Sequence, residues 1–505
     1  MIGTDKICAV VAATDARSMW GQLRQALDVA RTIELRLDWL SDDAEIAKFL
    51  ALLRAGRTTR TARATFIATC RRREAGGKFG GTIAKQLVHL AEAITAGCAW
   101  YDLEIESSSK CPPELLDVLL GEGRQIASAH FFQRRPKNLR RVAADLAHVQ
   151  PAVIKIAAQC DSLAESMDVL RVARGRKNVI AIPMGEVALP ARVLALREGS
   201  ALAYAPVENA TAPGQATLEA MKHLYRADAL RRKTRVYGVI GDPIRHSLSP
   251  VMQNTGFQAR KMDAVFLPFL VRDLRDFLRA IRPFGISGFS VTIPHKQSIL
   301  RHLDDCDPMA AAIGAVNTVV VRGAGKLYGY NTDYVGVLRA LERRIPLRGS
   351  RALIFGAGGA ARAVAFALAE SGASVCICAR RMAQAKALAR AVEGEAVERP
   401  RLRREFFDAI INATPVGMYP HSANSPLSAA ELNCRLVFDS IYRPRTTKLL
   451  QLAGRRGIET VSGVEMFVAQ GTAQWEIWTG ERAPEAAMRR AVLHALRNEE
   501  KIAVR

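Results

Sequence analysis

The chain of 505 residues has no apolar run long enough to cross a bilayer, although 49% of its residues are hydrophobic. That excludes a helical membrane span and leaves an ordinary globular composition, with length for two or three domains. It has no Cys-x-x-Cys pair. The nine cysteines are scattered and odd in number, so no zinc or other metal site is expected. The opening residues, MIGTDKICAVVAAT, lack the charged start, long apolar core and small-residue cleavage site of a signal peptide. A reduced, cytoplasmic enzyme is the expectation.

Acidic side chains are comparatively scarce: 49 Asp and Glu stand against 72 Lys and Arg, a net charge of +23. Such a balance suits a nucleic-acid binder. Here, however, the arginines are spread along the whole chain, with no basic tail and no basic–aromatic block. Neither a nucleic acid nor a membrane is expected as partner. A field that attracts small anionic substrates is an adequate reading of the charge.

What is present is regular alternation. Over residues 1–228 the strand-like segments are ICAVVAAT, TIELRLDWL, ATFIATCR, AWYDLEI, QIASAHFF, AVIKIAAQ, NVIAIPMG and ALAYAPV. Amphipathic stretches such as MWGQLRQALDVA and TIAKQLVHLAEAITAG lie between them. Eight β-then-α units predict a (β/α)8 TIM barrel, with chemistry at the C-terminal ends of its strands. Glu34 and Arg36 lie in the second strand and share a face, so a pairing between them is expected. Arg71 ends the third strand, Asp102 and Glu104 fall in the fourth, His130 ends the fifth, and Met184 and Gly185 close the seventh.

Lys155 sits in the middle of AVIKIAAQ, an apolar strand in which an unpaired ammonium is costly. One reading is a snorkelling or ion-paired lysine. The other is a lysine crowded by cations at the barrel mouth, whose neutral amine attacks a ketone to form a Schiff base. The spacing leaves both open.

The ordered set ELRLD, TCR, DLE, SAHFF, VIKIA, PMG and TAPGQ resembles type I 3-dehydroquinate dehydratases across the whole first half. The resemblance implies that Lys155 forms the imine with the substrate C3 ketone. It also implies that His130 removes a C2 proton and later protonates the departing hydroxyl. Arg192 matches the arginine that holds the substrate carboxylate. Glu34, Arg36, Arg71, Thr211 and Gln215 match further substrate-binding positions. One departure stands out: the family's E-G-G follows the third-strand arginine, whereas CRRREAGGKF puts Ala75 at the glutamate position and Glu74 before it. A one-residue rearrangement of the loop would restore the carboxylate that orients His130.

YRADALRRKT, residues 225–234, reads as a charged hinge before a new strand, RVYGVIG. Further on, RALIFGAGGAARAVAFALAESGASVCICARR is a β-α-β unit with Gly356, Gly358 and Ala361 in the G-x-G-x-x-G/A positions. Arg380 and Arg381 end its second strand, where an NAD-binding protein places Asp or Glu. Two guanidiniums suit a 2′-phosphate, so NADP is the expected cofactor. Upstream, Lys296 follows a strand and a proline, where a helix is expected to begin, and whether Asp333 reaches it depends on folding.

GDPIRHSLSP, TIPHK, VNT, NTD, GAGGAAR, NATPVGM and GVEMFVAQ, in that order, resemble shikimate dehydrogenases from about residue 236 to 495. That resemblance implies a substrate lobe over 235–340, a Rossmann NADP-binding lobe over 341–470, and C-terminal helices over 471–505 packing back on the substrate lobe. It implies that Ser247 and Ser249 hold the substrate carboxylate and that Thr292, Asn317 and Gln470 bind hydroxyls near Tyr442. Lys296 and Asp333 match the catalytic dyad. Gly356, Ala357, Gly358, Gly359, Ala360, Arg362, Arg380, Arg381, Thr414 and Gly463 fall on the cofactor side. Ala379 replaces the usual Asn before the clamp arginine.

The two halves together resemble the bifunctional dehydratase–dehydrogenase arrangement of plants and some bacteria. It implies small anionic substrates: 3-dehydroquinate, 3-dehydroshikimate and shikimate. Two alternatives stay open on the residues alone. One is a sister enzyme that acts on quinate or 3-dehydroquinate in its second half. The other is a regulatory protein that senses these metabolites without turning them over.

Overall fold

The computed structural model describes residues 2–3, 5–56, 59–111, 121, 123–208 and 214–503. Its contacts divide the chain into two compact units. One is Met1–Thr234 with Arg275–Gly285, the other Arg235–Leu274 with Ile286–Arg505.

The first unit is built on eight parallel strands: β1 (Ile7–Val11), β2 (Thr32–Arg36), β3 (Thr65–Thr69), β4 (Trp100–Glu104), β5 (Arg124–Phe131), β6 (Val153–Gln159), β7 (Val179–Met184) and β8 (Ala203–Pro206). The ladder runs β7-β6-β5-β4-β3-β2-β1-β8. A hydrogen bond of 2.8 Å from the Ala201 amide to the Val179 carbonyl spans the remaining seam. The strands are buried on both faces, as a barrel inside a helical ring requires. The helices begin at Asp15, Asp42, Thr82, Asn138 and Ser162, whose side chains accept from backbone amides of the first turn. The lower barrel is filled by Cys8, Val10, Ile67, Trp100, Ile126, Val153 and Ile180. That packing leaves the polar inward residues for the layer above it.

The second unit carries two six-stranded sheets. The first is mixed: β9 (Arg235–Gly241), β10 (Ala264–Leu270), β11 (Ile286–Val291), β12 (Asp305–Cys306), β13 (Thr318–Arg322) and β14 (Lys326–Tyr330), in the order β10-β9-β11-β13-β14-β12. The second is parallel: β15 (Arg351–Phe355), β16 (Ser374–Cys378), β17 (Glu395–Ala396), β18 (Phe407–Asn412), β19 (Cys434–Asp439) and β20 (Glu459–Ser462), in the order β17-β16-β15-β18-β19-β20. The order reverses at β15, the switch point where nucleotides bind in such sheets.

One sequence-based boundary differs from the structure. The boundary at 470 falls inside one continuous helix, Gly463–Thr479, which the Ser462 side chain caps and left-handed Gly480 ends. The segment Arg275–Gly285 groups with the barrel unit, where the Asp276 carboxylate accepts from the Leu163 amide at 3.0 Å and the Phe284 carbonyl accepts from Arg197 at 3.0 Å.

Candidate active sites

Above the apolar barrel floor lies one layer drawn from alternate strands: Glu34 of β2, Asp102 of β4, Lys155 of β6 and Tyr204 of β8. Lys155 Nζ is 3.3 Å from Glu34 Oε1, 2.8 Å from Asp102 Oδ2 and 4.1 Å from the centre of the Tyr204 ring. Four side chains from alternate strands are the normal filling of a barrel layer. Here the layer is charged. The cation-crowded mouth expected from the sequence is therefore corrected: two carboxylates face the lysine, because alternation along β2 and β4 turns both inward.

Arg71, just past β3, completes the charge balance. Its guanidinium lies 2.9 Å from Asp102 and 3.5 Å from Glu104, and it donates to Ser128 Oγ at 3.1 Å. Burial pushes the Asp102 carboxyl up. Arg71, then Lys155, more than offset this and hold it well below the usual carboxylate range. Glu104 is raised by burial, despite Arg71 and a 2.7 Å hydrogen bond from Gln86.

His130 Nδ1 lies 3.1 Å from Arg71 Nη1. A guanidinium only donates, so Nδ1 is the acceptor and Nε2 carries the proton. Burial, then the Arg71 and Lys155 cations, hold the imidazole well below its usual range, against an opposing pull from Asp102. The histidine is a neutral base. Phe132 stacks on it with ring centres 6.0 Å apart. The loop rearrangement that would bring a carboxylate to His130 is not found. Glu74 is 71% exposed and pairs with Arg72 at 2.9 Å. It sits in a single turn, Arg73–Ala75, that leads it outward before left-handed Gly76.

The expected pairing of Glu34 with Arg36 is also corrected. Arg36 ends β2 and grips Asp38 through two hydrogen bonds of 2.9 and 2.8 Å, because the chain curls there into the short helix Leu37–Trp39. Glu34 instead accepts from Thr69 Oγ1 at 2.9 Å and faces Lys155.

Arg192 follows β7 and is 7% exposed, and its one hydrogen-bond acceptor among the described residues is the Tyr204 carbonyl, 3.4 Å away. Burial lowers it to about 10. A buried guanidinium is stabilised by an anionic partner. Gln215 follows Gly214, whose backbone closes against Gly185 so tightly that a Cβ would fall 2.0 Å from the Gly185 carbonyl oxygen. Thr211 lies outside the described residues.

In the second unit, Lys296 Nζ meets Asp333 Oδ2 at 2.5 Å. Lys296 sits on the turn after Pro294, ahead of the short helix Ser298–His302, rather than at the start of an α-helix. Asp333 is in the first turn of the Thr332–Leu341 helix, capped by Asn331 at 3.1 Å. Asn317 Nδ2 donates to Asp333 Oδ1 at 2.9 Å and to Thr332 Oγ1 at 3.0 Å, and approaches Gln470 Oε1 at 3.5 Å. One amide thus ties four of these side chains together. Ser247 Oγ accepts from the Ser249 amide at 3.3 Å at the start of the Ser249–Ala259 helix. Tyr442 stacks on Phe467 at 4.3 Å. The Thr292 amide donates to the Ile240 carbonyl at 3.0 Å, which holds it beside β9.

The turn after β15 meets the requirements of a dinucleotide. Gly356 has φ +125, and a Cβ there would crowd Ala413 and Thr414 at 3.1 Å. Gly358 has open space where a Cβ would be, and it begins the Gly359–Glu370 helix. That leaves Ala357, Gly358, Gly359 and Ala360 presenting backbone amides at a helix N-terminus, the arrangement that takes phosphate. Gly359 also faces Lys296, its Cβ direction 3.7 Å from the lysine Cβ. Arg380 and Arg381 are exposed after β16, with no acidic partner among the described residues. Arg362, by contrast, hydrogen-bonds to the Ile313 carbonyl.

Thr414 donates to Asn412 Oδ1 at 2.7 Å, and Asn412 donates to Asp439 Oδ1 at 3.0 Å. Gly463 is sterically obligatory, because a Cβ would fall 2.5 Å from the Ile441 and Ser440 carbonyl oxygens. The sequence assigned no role to Ser128, Thr332, Tyr204 or Asp38. Of these, only Ser128 and Tyr204 carried a signal, the two-residue alternation of their strands.

Residues 7–231 match the family model for type I 3-dehydroquinase. Residues 239–319 match the shikimate dehydrogenase substrate binding domain, and 463–493 the shikimate 5′-dehydrogenase C-terminal domain. The chain is 32% identical over 504 residues to a chloroplastic bifunctional 3-dehydroquinate dehydratase/shikimate dehydrogenase of Arabidopsis thaliana, covering 95% of this chain and 83% of that one. It belongs to that bifunctional family. Its second half is 43% identical over 274 residues to an NADP(+) shikimate dehydrogenase of Bacillus cereus, covering 52% of this chain and 99% of the relative. A crystal structure of a shikimate dehydrogenase in complex with NADP+ matches 53% of this chain and 97% of its own, with TM-score 0.50 and 37% identity. The family's two activities correspond in order to the two halves of this chain.

Proposed function

We propose that the chain carries out two consecutive reactions: dehydration of 3-dehydroquinate to 3-dehydroshikimate in the barrel, and reduction of that product to shikimate with NADPH in the second unit. The observation that carries this reading is the presence, in one chain, of a buried barrel lysine with a neutral histidine and of a lysine–aspartate dyad facing a nucleotide-binding helix. Residues 1–228 serve the first reaction. Residues 235–340 hold the second substrate and residues from 341 up to the Gly463–Thr479 helix the cofactor, with that helix and the one after it supporting the substrate lobe.

In the barrel, the buried Arg192 cation takes the substrate carboxylate, and Arg36, Arg71 and Gln215 bind the rest of the molecule. Lys155 Nζ adds to the C3 carbonyl and water leaves, giving an iminium. This cation draws electrons from the neighbouring C–H bond. His130 accepts the C2 proton on Nδ1, the nitrogen that Arg71 otherwise meets, and the electron pair forms an enamine. The enamine then expels the hydroxyl, which takes the proton back from His130. Water hydrolyses the imine and frees Lys155, so the net change is loss of one water. Asp102, held ionised by Arg71, and Glu34 steady the positive nitrogen throughout.

In the second unit, Ser247 and Ser249 take the carboxylate, while Thr292, Asn317 and Gln470 hold hydroxyls beside Tyr442. Lys296 donates a proton to the C3 oxygen as the carbonyl becomes an alcohol, and Asp333 holds the ammonium in place. NADPH supplies the hydride when bound. Gly356 to Ala360 and the helix behind them hold its pyrophosphate, Arg380 and Arg381 its 2′-phosphate, and Arg362, Thr414 and Gly463 the remaining edge.

All nine cysteines are free thiols, which suits a reducing compartment and a cytoplasmic enzyme. No helix among the described residues is long and apolar enough to cross a membrane. The test supplies 3-dehydroquinate as sole substrate and follows NADPH absorbance. A fall after a lag, with shikimate formed, is expected. Asp333→Asn should stop the sequence at 3-dehydroshikimate. Binding of 3-dehydroquinate without turnover would overturn the reading in favour of a metabolite sensor.

A further inference from the structure

Within the first unit, a cavity of about 370 Å³ is lined by Arg171, Arg174, Arg197, Glu198, Arg232 and Arg282, with Pro283 and Gly285. That volume is in the range of small-molecule sites, roughly 300–1,000 Å³. Five guanidiniums face a single carboxylate. Arg174 and Arg197 both lean on Glu198, and Arg171 is drawn off by Asp168. Arg232 and Arg282 are exposed and pair with no acid among the described residues.

The decisive group is Arg197. Its side chain is 9% exposed, yet its buried Nε has no hydrogen-bond partner among the described residues. Its other nitrogens reach only the Phe284 carbonyl at 3.0 Å, the Arg232 carbonyl at 3.4 Å and Glu198 at 3.4 Å. Burial lowers this guanidinium, Glu198 opposes, and the Arg232 and Arg174 cations lower it further. A buried donor left unpaired among like charges is unfavourable unless an acceptor arrives.

We propose that this cavity binds a small phosphate-bearing anion, a phosphate monoester or pyrophosphate, as a site separate from both catalytic centres. The chemistry favours phosphate over a single carboxylate. A phosphoryl group brings close to two negative charges and three acceptor oxygens, which match forked guanidiniums. The position supports separation. Arg171 and Arg174 precede β7, and Arg197 and Glu198 precede β8, so the cavity lies at the N-terminal ends of the strands. Barrel chemistry occupies the opposite ends.

The test is isothermal titration of the full chain with pyrophosphate, performed in saturating NADP+ so that Arg380 and Arg381 are occupied. One site is expected, with affinity falling as salt rises. The double variant R232E/R282E removes two exposed guanidiniums that touch neither catalytic centre. It should bind at least tenfold more weakly while both activities stay unchanged. Equal binding by the variant, or no binding by the wild-type chain at millimolar pyrophosphate, would overturn the proposal. Displacement of pyrophosphate by a short nucleic-acid duplex at lower concentration would assign the cavity to a polymer backbone and overturn the small-ligand form.

Discussion

Lys155 Nζ and Asp102 Oδ2 meet at 2.8 Å inside the barrel, each nearly inaccessible to solvent. Asp102 also binds Arg71 at 2.9 Å, so one carboxylate is shared by two cations. The pair fixes the lysine in the charged layer it shares with Glu34 and Tyr204. The same contacts make the residue structural, because a buried ion that loses its partner is uncompensated.

Replacing the lysine should therefore do two things at once. Lys155→Met should abolish dehydration and destabilise the barrel by about 3–5 kcal/mol. Borohydride added during turnover should attach the substrate skeleton covalently to the wild-type chain and not to the variant, read by intact mass. The variant should still reduce 3-dehydroshikimate. Covalent trapping that survives the substitution would place the imine on another lysine.

In the proposed mechanism, His130 sets the acid limb of the dehydratase. Burial, then Arg71 and Lys155, lower His130, so the imidazole remains a neutral base well below the pH at which a free histidine protonates. The acid limb of kcat/KM should accordingly lie below pH of about 6.5. Arg71→Met removes one of the cations that lower it and should move the limb upward, along with a loss of rate. A limb unmoved by Arg71→Met would mean that another group titrates there.

At the proposed cofactor site, Arg380 and Arg381 are exposed and have no acidic partner among the described residues. Replacing both by Ala should raise the KM for NADPH about 10–100-fold, the equivalent of one or two charge-assisted hydrogen bonds. The constant for NADH should barely change, because it has no 2′-phosphate. Equal losses with both cofactors would show that these arginines act through the fold of the loop.

The alternation of strands and the glycine turn were legible because they are local: two-residue periodicity and a tight turn each occupy a few positions. Asp102 and Glu34 could be placed on inward faces by counting along their strands. Their partners could not. Arg36 chose Asp38 because the strand ends in a short helical curl, which the spacing of Glu34 and Arg36 does not reveal. Lys296 and Asp333 are 37 residues apart in sequence, and only the meeting of a turn with a helix start joins them. Ala75 was legible as a departure, but its consequence was not. The Arg71 contact to His130 Nδ1 comes from a side chain that is near in sequence to Ala75 and fixed by β4.

Asp439, behind the cofactor loop, gives the sharpest stability test. Burial raises its carboxyl to about 6, even though it accepts from Thr447, the Ile441 amide and Asn412. Its unfolded value is near 3.8. The folded chain therefore binds a proton more tightly than the unfolded chain. The associated stability is fully present below pH of about 4 and is lost as pH rises through about 6. The loss amounts to about 3 kcal/mol from this group alone. Asp439→Asn carries no charge and keeps an oxygen to accept from the Ile441 amide and Asn412, while its NH2 replaces the oxygen that accepted from Thr447. Denaturant midpoints of the second unit, followed through loss of dehydrogenase activity, should fall between pH 4 and 7 in the wild-type chain relative to the variant. If the two chains keep a constant difference across that range, the carboxylate is not titrating there, and its hydrogen bonds outweigh its burial.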